Sequence, residues 1–343
     1  MGIKNLKKLI KRFAPDAIHD RPNLYNKRVA IDSSILLYKF RYTYRDDDSF
    51  HIRGFVHKII ELLESGVIPV FVFDGKPPDA KKMTLDKRTD TRAKMQEKIQ
   101  ELTVLRNRLC ENVQGDFVID PEEYIHSDDE DSLEENLIVK EIKKINSQIR
   151  NVEKNILVVK RIHSDEVMDF LKSLGIPFLK AIGESEETCA FLQKNGYVDY
   201  VMSEDTDSLT FGANSVIFGD KLYTLEDVLT GLEITYDSFI DLCILCGCDY
   251  TRTVPKIGPI NALRLIKLHN TIENLNVELP PDFDYLTARN LFTQNKDYSL
   301  PLNPFTFGCV DLKTIEGIFE KRFNNSFNFF LEKIKILLNK KYC

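Results

Sequence analysis

The sequence predicts an α/β fold: a central, mostly parallel sheet flanked by helices and interrupted by a long helical insertion. Three observations carry that expectation. Two short, unbroken apolar runs end at aspartates: Arg28-Val29-Ala30-Ile31 reaches Asp32, and Ile68-Pro69-Val70-Phe71-Val72-Phe73 reaches Asp74. A third run, Tyr197 to Met202, leads into Ser203-Glu204-Asp205-Thr206-Asp207. Between residues 80 and 163 the composition shifts to Lys, Glu, Gln and Ile with a coiled-coil period. Unbroken apolar runs of this length fit strands covered on both faces, with helices between them. In such sheets ligands gather beyond the carboxyl ends of the strands, where these aspartates stand.

The chain reads as one domain over 1–343. Regions 1–90 and 164–270 flank an insertion over 80–163, and 271–343 closes the chain. In the insertion Ile138, Ile142, Ile145, Ile149, Val152, Ile156 and Val159 recur at spacings 4-3-4-3-4-3, the seam of a coiled coil. Met95, Ile99, Leu102 and Leu109 supply a partner face on the preceding helix. The result is a helical hairpin whose second helix, about 28 residues, is roughly 42 Å long. The alternative packs both helices flat on the body. Residues 272–305, rich in Pro and Asn, read as loop-rich, and Ile315 to Leu338 as helices.

Apolar residues make up 43% of the 343, as in folded globular proteins. No apolar run is long enough to span a bilayer. The N-terminus lacks a signal peptide's pattern, and Leu6 stands where a myristoylation signal needs Ser or Thr. An intracellular protein is expected, and the seven scattered cysteines agree with a reducing compartment. Cys243, Cys246 and Cys248 invite a zinc reading, but their apolar helical setting favours buried thiols. Residues 116–135 hold ten acids and no Lys or Arg; without them the net charge of −6 becomes +4. A nucleic-acid partner is therefore compatible with an acidic total.

A single aspartate after a strand is commonly a helix cap. The constellation says more. Asp32, Asp74, Glu184, Glu186, Asp205, Asp207 and Asp249 make seven acids at the ends of elements that are able to converge. Such a cluster repels itself unless cations occupy it, and oxygen ligands without paired His or Cys favour Mg²⁺, or Mn²⁺ in its place. Two such ions about 4 Å apart clamp a phosphodiester in displacement. Lys81 and Arg88, seven residues apart, share a helical face and are candidates to steer the phosphate. The other reading puts them on a solvated face with Lys82, Lys87, Arg92 and Lys94.

These motifs together resemble the flap endonuclease family of 5′ nucleases. The resemblance lies in Met-Gly-Ile-Lys-Asn-Leu at the start, Val29 to Ser34, Val72 to Pro78, the Glu184/Glu186 helix, Glu204 to Gly212, and Asp241 to Tyr250 continuing into Ile257-Gly258-Pro259. It runs from residue 1 to about 270 and implies a PIN-like nuclease sheet with a helical arch and a helix–two-turn–helix near 250–268. All seven acids become metal-site residues for two Mg²⁺, and Lys81 and Arg88 the catalytic cations. Gly2, Tyr38, Arg45, Lys58, Glu184, Gly247, Asp249 and Gly258 match DNA-contacting positions, Tyr38 by stacking on a base. Thr253, Val254 and Ile257 match carbonyl donors to a K⁺.

Several positions depart from the family. Lys256 replaces the usual first glycine of Gly-Ile-Gly, and Ile260-Asn261 replace a basic pair, which bears on the cation site and the duplex grip. Ser185 replaces a small alanine between the paired glutamates. No sliding-clamp motif is recognisable before Cys343. The implied activity is two-metal cleavage of branched DNA at the base of 5′ flaps, with 5′-3′ exonuclease activity, in replication and repair. A duplex exonuclease, a bubble or junction cutter, or a silent branched-DNA binder are the alternatives. A monomer without membrane attachment is expected, in the nucleus of a eukaryotic cell or at a cytoplasmic replication site if viral.

Overall fold

The apolar runs become the central strands of one seven-stranded sheet, ordered β1-β7-β6-β5-β2-β3-β4. Its strands are β1 (Ile18–Asp20), β2 (Arg28–Asp32), β3 (Ile68–Phe73), β4 (Phe178–Lys180), β5 (Tyr200–Met202), β6 (Ser215–Phe218) and β7 (Lys221–Thr224). β2 pairs in parallel with β3 on one side and β5 on the other, and β4 and β6 extend the parallel set outward. Among the described strands β7 alone runs against the set, pairing antiparallel with β6 on one side and with the edge strand β1 on the other. The computed structural model describes residues 2–113, 133–153, 156, 158–294, 296, 298–301, 304–323 and 327–342. Most of the acidic segment 116–135, expected at a hairpin tip, lies outside them.

Alternation along the strands divides the core between the two faces. Val29, Ile31, Phe71 and Phe73 join one cluster, and Ala30, Val70 and Val72 the other. Helices α2 (Ser33–Thr43), α3 (Phe50–Glu64), α6 (Arg161–Ser173), α13 (Leu312–Arg322) and α14 (Asn328–Tyr342) cover the first face. The second is covered by α1 (Leu6–Phe13), α7 (Ser185–Lys194), the short α8 (Asp207–Thr210), α9 (Leu225–Leu232), α10 (Tyr236–Cys246), α11 (Pro259–His269) and α12 (Tyr285–Thr293). Cys243 and Cys246 lie inside α10 in this second core, and Cys248 follows it. They are buried thiols; burial pushes Cys246 and Cys248 up to about 12.

The chain divides into two compact units, Met1–Thr84 with Val159–Cys343, and Leu85–Val158. In the second unit the half-buried stripe of α4 (Lys82–Val113) includes Met95, Ile99, Leu102 and Leu109. In α5 (Leu133–Glu153) the seam residues Ile145 and Ile149 are 4% and 7% exposed. One expectation needs correction. The seam helix is described over Leu133–Glu153, and Ile156 and Val159 are not helical; Val159 packs instead against the core of the first unit. Within the loop-rich stretch 272–305 lies an α-helix, α12, which Asp284 caps by accepting the Thr287 N–H at 3.0 Å.

Candidate active site

Asp32 ends β2 and is 1% exposed. It also caps α2, accepting the Ile35 N–H at 3.3 Å, so the capping and cluster readings both hold. Hydroxyls occupy both of its oxygens: Ser185 Oγ donates to Oδ1 and Ser203 Oγ to Oδ2, each at 2.9 Å. Burial and the neighbouring Asp74 charge push its pKa up to about 7, against the lowering effect of those hydroxyls. Asp74 follows β3 and accepts the Ser185 N–H at 2.9 Å, while its own N–H donates to Ser34 Oγ at 3.0 Å. Glu186, in the first turn of α7, lies 3.3 Å from the same Ser185 hydroxyl. Burial, then the charges of Asp32, Asp74, Asp205 and Glu184, hold its carboxyl well above the usual range.

The loop after β5 supplies the next pair. Ser203 Oγ accepts the Asp205 N–H at 2.9 Å, and Asp205 Oδ1 accepts the Asp207 N–H at 3.1 Å. Both acids are 4% exposed. Burial raises both pKa values, and the charges of Asp205, Asp249 and Glu184 raise that of Asp207 further. Gly2 runs against this pair with φ +82°; a Cβ there would fall 1.7 Å from Asp205 Oδ1 and 2.8 Å from Asp207 Oδ1.

At the other end Lys81 closes a 3₁₀ turn (Asp79–Lys81) and donates to Glu184 Oε1. Its Nζ stands 3.5 Å from Asp249 Oδ2. Tyr250 OH donates to Glu184 Oε2, and Thr84 Oγ1 to the Asp249 carbonyl at 2.9 Å. Burial alone would lower the Lys81 pKa, but Glu184, Glu186 and Asp249 outweigh it and raise it. The seven expected acids and Lys81 thus form one network of hydrogen bonds and mutual charges. Sequence reasoning passed over Ser203 and Tyr250 and treated Ser185 as a mild change. Each adjoins one of the acids or lies two residues from it, and that adjacency was the available signal.

The remaining expected residues are placed as follows. Arg88 belongs to the second unit, half-buried on α4. Tyr38 is half-buried on α2, and Arg45 is exposed in the turn after it. Lys58 on α3 donates to both Glu61 oxygens, at 2.9 and 3.0 Å. Gly247 ends α10 at φ +109°, where its carbonyl accepts the Lys4 N–H at 3.1 Å, and Gly258 precedes α11. In the turn between them Val254 O accepts the Ile257 N–H at 3.3 Å, and Thr253 is exposed. Lys256, in place of glycine, adopts φ +64°, a left-handed conformation that costs a non-glycine residue roughly 1–2 kcal/mol.

Among the described residues no three His, Cys, Asp or Glu side chains form a ready ligand set; serine hydroxyls, Tyr250 and Lys81 hold the carboxylates instead. The donors nonetheless fit hard divalent cations. They are all oxygen, and several are buried with raised pKa values. Asp207 Oδ1 is buried with no hydrogen-bond partner.

Two family descriptions match the chain, the XPG N-terminal domain over residues 1–95 and the XPG I-region over 175–249. Those two stretches hold all seven acids, so the class defined by fold and site is the XPG-type nucleases. The fold is similar to the catalytic core of Rad2 in complex with DNA substrate, with a TM-score of 0.68 at 20% identity, covering 98% of this chain and 100% of that one. Flap endonuclease 1 of Aedes aegypti is 34% identical over 323 residues, covering 86% of this chain and 75% of that protein. Flap endonuclease 1-A of Sorghum bicolor is 35% identical over 324 residues, with coverage of 86% and 75%. The chain belongs to the flap endonuclease family.

Proposed function

We propose that this chain is a structure-specific endonuclease that hydrolyses a phosphodiester at the base of 5′ flaps in DNA, with two Mg²⁺ in the carboxylate cluster. The observation that carries the reading is the carboxylate cluster at the carboxyl ends of β2, β3 and β5, buried at Asp32, Glu184, Asp205 and Asp207, with Asp207 Oδ1 lacking a partner. Asp32, Asp74, Glu184, Glu186, Asp205, Asp207 and Asp249 would hold the ions, some of them through water. When bound, such ions supply an activated water and charge stabilisation at the phosphate.

The chain's own groups do the rest. Ser185 and Ser203 fix the Asp32 carboxylate by neutral donors and leave its charge for a cation. Lys81 is a half-buried ammonium held among Glu184, Glu186 and Asp249, so a positive group already stands where phosphate charge must be met. Gly2 lets the N-terminal backbone pass the Asp205/Asp207 pair without a side chain filling the space.

The test is cleavage of a 5′-labelled double-flap DNA in Mg²⁺, beside a blunt duplex and an Asp205→Ala control. A single cut near the flap junction, absent in the control, is expected. Stepwise digestion of the blunt duplex alone would move the chain to the exonuclease branch. No cut in Mg²⁺ or Mn²⁺ would leave only a branched-DNA binder.

A further inference from the structure

Past α12, outside both stretches matched to the XPG descriptions, Lys296 and Tyr298 lie against α7, the helix capped by Glu184. The Tyr298 ring packs on Phe191 of α7, with centroids 5.0 Å apart. Two residues on, the Leu300 carbonyl accepts the Tyr197 hydroxyl at 3.3 Å. Lys296 Nζ donates at 2.5 Å to Glu187, the buried neighbour of Glu186. The same ammonium crosses close over Gly183, where a Cβ would fall 2.5 Å from it. The space left between this segment and α7 is about 10 Å³, room for one water. The segment is therefore no lid over a ligand; what it offers is its contacts with α7.

Those contacts form a chain with one direction. Tyr298 OH accepts the Ile182 N–H at 3.3 Å and lies 2.5 Å from Thr188 Oγ1. Thr188, fully buried, gives its own proton to the Glu184 carbonyl at 3.1 Å. A hydroxyl has one proton to donate, so Tyr298 is the donor to Thr188. The chain runs from Ile182 N–H through the two hydroxyls to Glu184 C=O, and bonds in such a chain polarise one another. It spans the turn that carries the backbone from β4 into α7. From the Asp74 side, the N–H groups of Gly75 and Lys76 reach the Gly183 and Ile182 carbonyls at 2.7 and 3.3 Å. Tyr298 closes the turn from the opposite side with a side chain. Glu184 is thus fastened twice, at its carboxylate by Lys81 and Tyr250 and at its backbone by Thr188. We propose that Tyr298 is a positioning residue for the cleavage reaction: through Thr188 it fixes the Glu184 backbone, and with it the aim of the Glu184 and Glu186 carboxylates. The assignment rests on the metal-dependent cleavage proposed above.

The test uses Tyr298→Phe, which removes the hydroxyl and keeps the ring on Phe191. Calorimetry without DNA reads Mn²⁺ binding, which weakens about tenfold, the lower end of what an outer partner of a ligating group is worth. The Mg²⁺ concentration for half-maximal single-turnover cleavage of a double flap rises by a similar factor. KM for the flap at saturating Mg²⁺ stays at the wild-type value. Thr188→Val, which removes the next hydroxyl, gives the same loss, and Thr188→Ser, which keeps it, restores Mn²⁺ binding. The double variant Thr188→Val/Tyr298→Phe is no weaker than either single one, because both break one chain. Unchanged Mn²⁺ binding in Tyr298→Phe overturns the assignment, and a lower melting temperature in EDTA alongside it would mark Tyr298 as packing alone. Equal losses in Thr188→Ser and Thr188→Val overturn it too, since the hydroxyl would not be the group that acts. If Mn²⁺ binding depends on Tyr298 and wild type cuts no flap, the positioning role stands and the flap reading falls. If wild type cuts flaps and Tyr298→Phe matches it in both assays, the reverse holds. A wild type that takes up no Mn²⁺ overturns both.

Discussion

The two ends of the acid cluster are held by different chemistry. Around Asp32 the donors are neutral: two serine hydroxyls on the carboxylate, and a Ser185 N–H on Asp74. Around Glu184 the principal donor is the ammonium of Lys81, which also faces Asp249. A neutral donor satisfies an oxygen's geometry but leaves its charge in place, whereas a cation cancels the charge. The first end is therefore built to attract a cation, and the second already contains one of its own.

The largest effect tests the first end. Asp32→Ala should lower single-turnover flap cleavage by about a thousandfold or more, the scale of losing several kcal/mol of charge stabilisation. Flap binding by anisotropy should remain within a few-fold of wild type; loss of binding instead would point away from a metal-site role. Next is Lys81→Met, with an expected fall of about 100- to 1000-fold in kcat. It also leaves Glu184 buried without its counter-charge, a class of change that costs about 3–5 kcal/mol. Thermal melts should therefore show a wider gap between Mg²⁺ and EDTA conditions in Lys81→Met than in wild type. An unchanged gap would mean that Lys81 is not the internal counter-ion.

Smaller effects sharpen the contrast. Ser185→Ala removes a neutral donor from Asp32 and should weaken Mn²⁺ binding, read by calorimetry, by about 10- to 100-fold. Tyr250→Phe leaves Lys81 on Glu184 and should cost less than about tenfold in the same titration. Equal effects from the two would erase the distinction between the ends. The smallest effect is on stability against pH. A carboxyl whose folded pKa is raised stabilises the fold below its unfolded value near 4, and that stability is lost as pH rises through the folded value. For Asp32 the window runs up to about 7. His51, buried beside Glu166 and held down to about 4, acts in the opposite direction over pH 4 to 6.5. The readout is therefore a difference: in EDTA, the melting temperature of Asp32→Asn relative to wild type should climb between pH 5 and 8. A flat difference would contradict the raised Asp32 pKa.

The parts of the fold legible in the sequence were those with a continuous signal. β2 and β3 are unbroken apolar runs because both faces of the sheet are covered, and each ends in an acid that the sheet delivers to its carboxyl edge. β4 and β1 have three residues each; β5 is no longer, but it leads into the acids of Ser203 to Asp207, which marked it. The apolar stripe of α5 was legible as far as Ile149, buried where the spacing placed it. The seam's last member, Val159, obeys the spacing yet serves the other unit's core, because periodicity records apolar positions and not what they pack against. In the site the acids announced themselves by type and position. Ser185 and Ser203 did not, because a hydroxyl's role depends on a partner 153 or 171 residues away in the chain.

The thiols sunk in the second core carry a practical consequence. Alkylating reagents attack the thiolate, and burial keeps Cys189, Cys243 and Cys246 protonated and out of reach. Cys309 is exposed and Cys110 partly so. Pulsed with iodoacetamide, the native protein should therefore be marked at these two before any buried thiol reacts. Each later adduct then dates an opening of the face that backs the acid cluster, and the molecule carries its own clock for that motion.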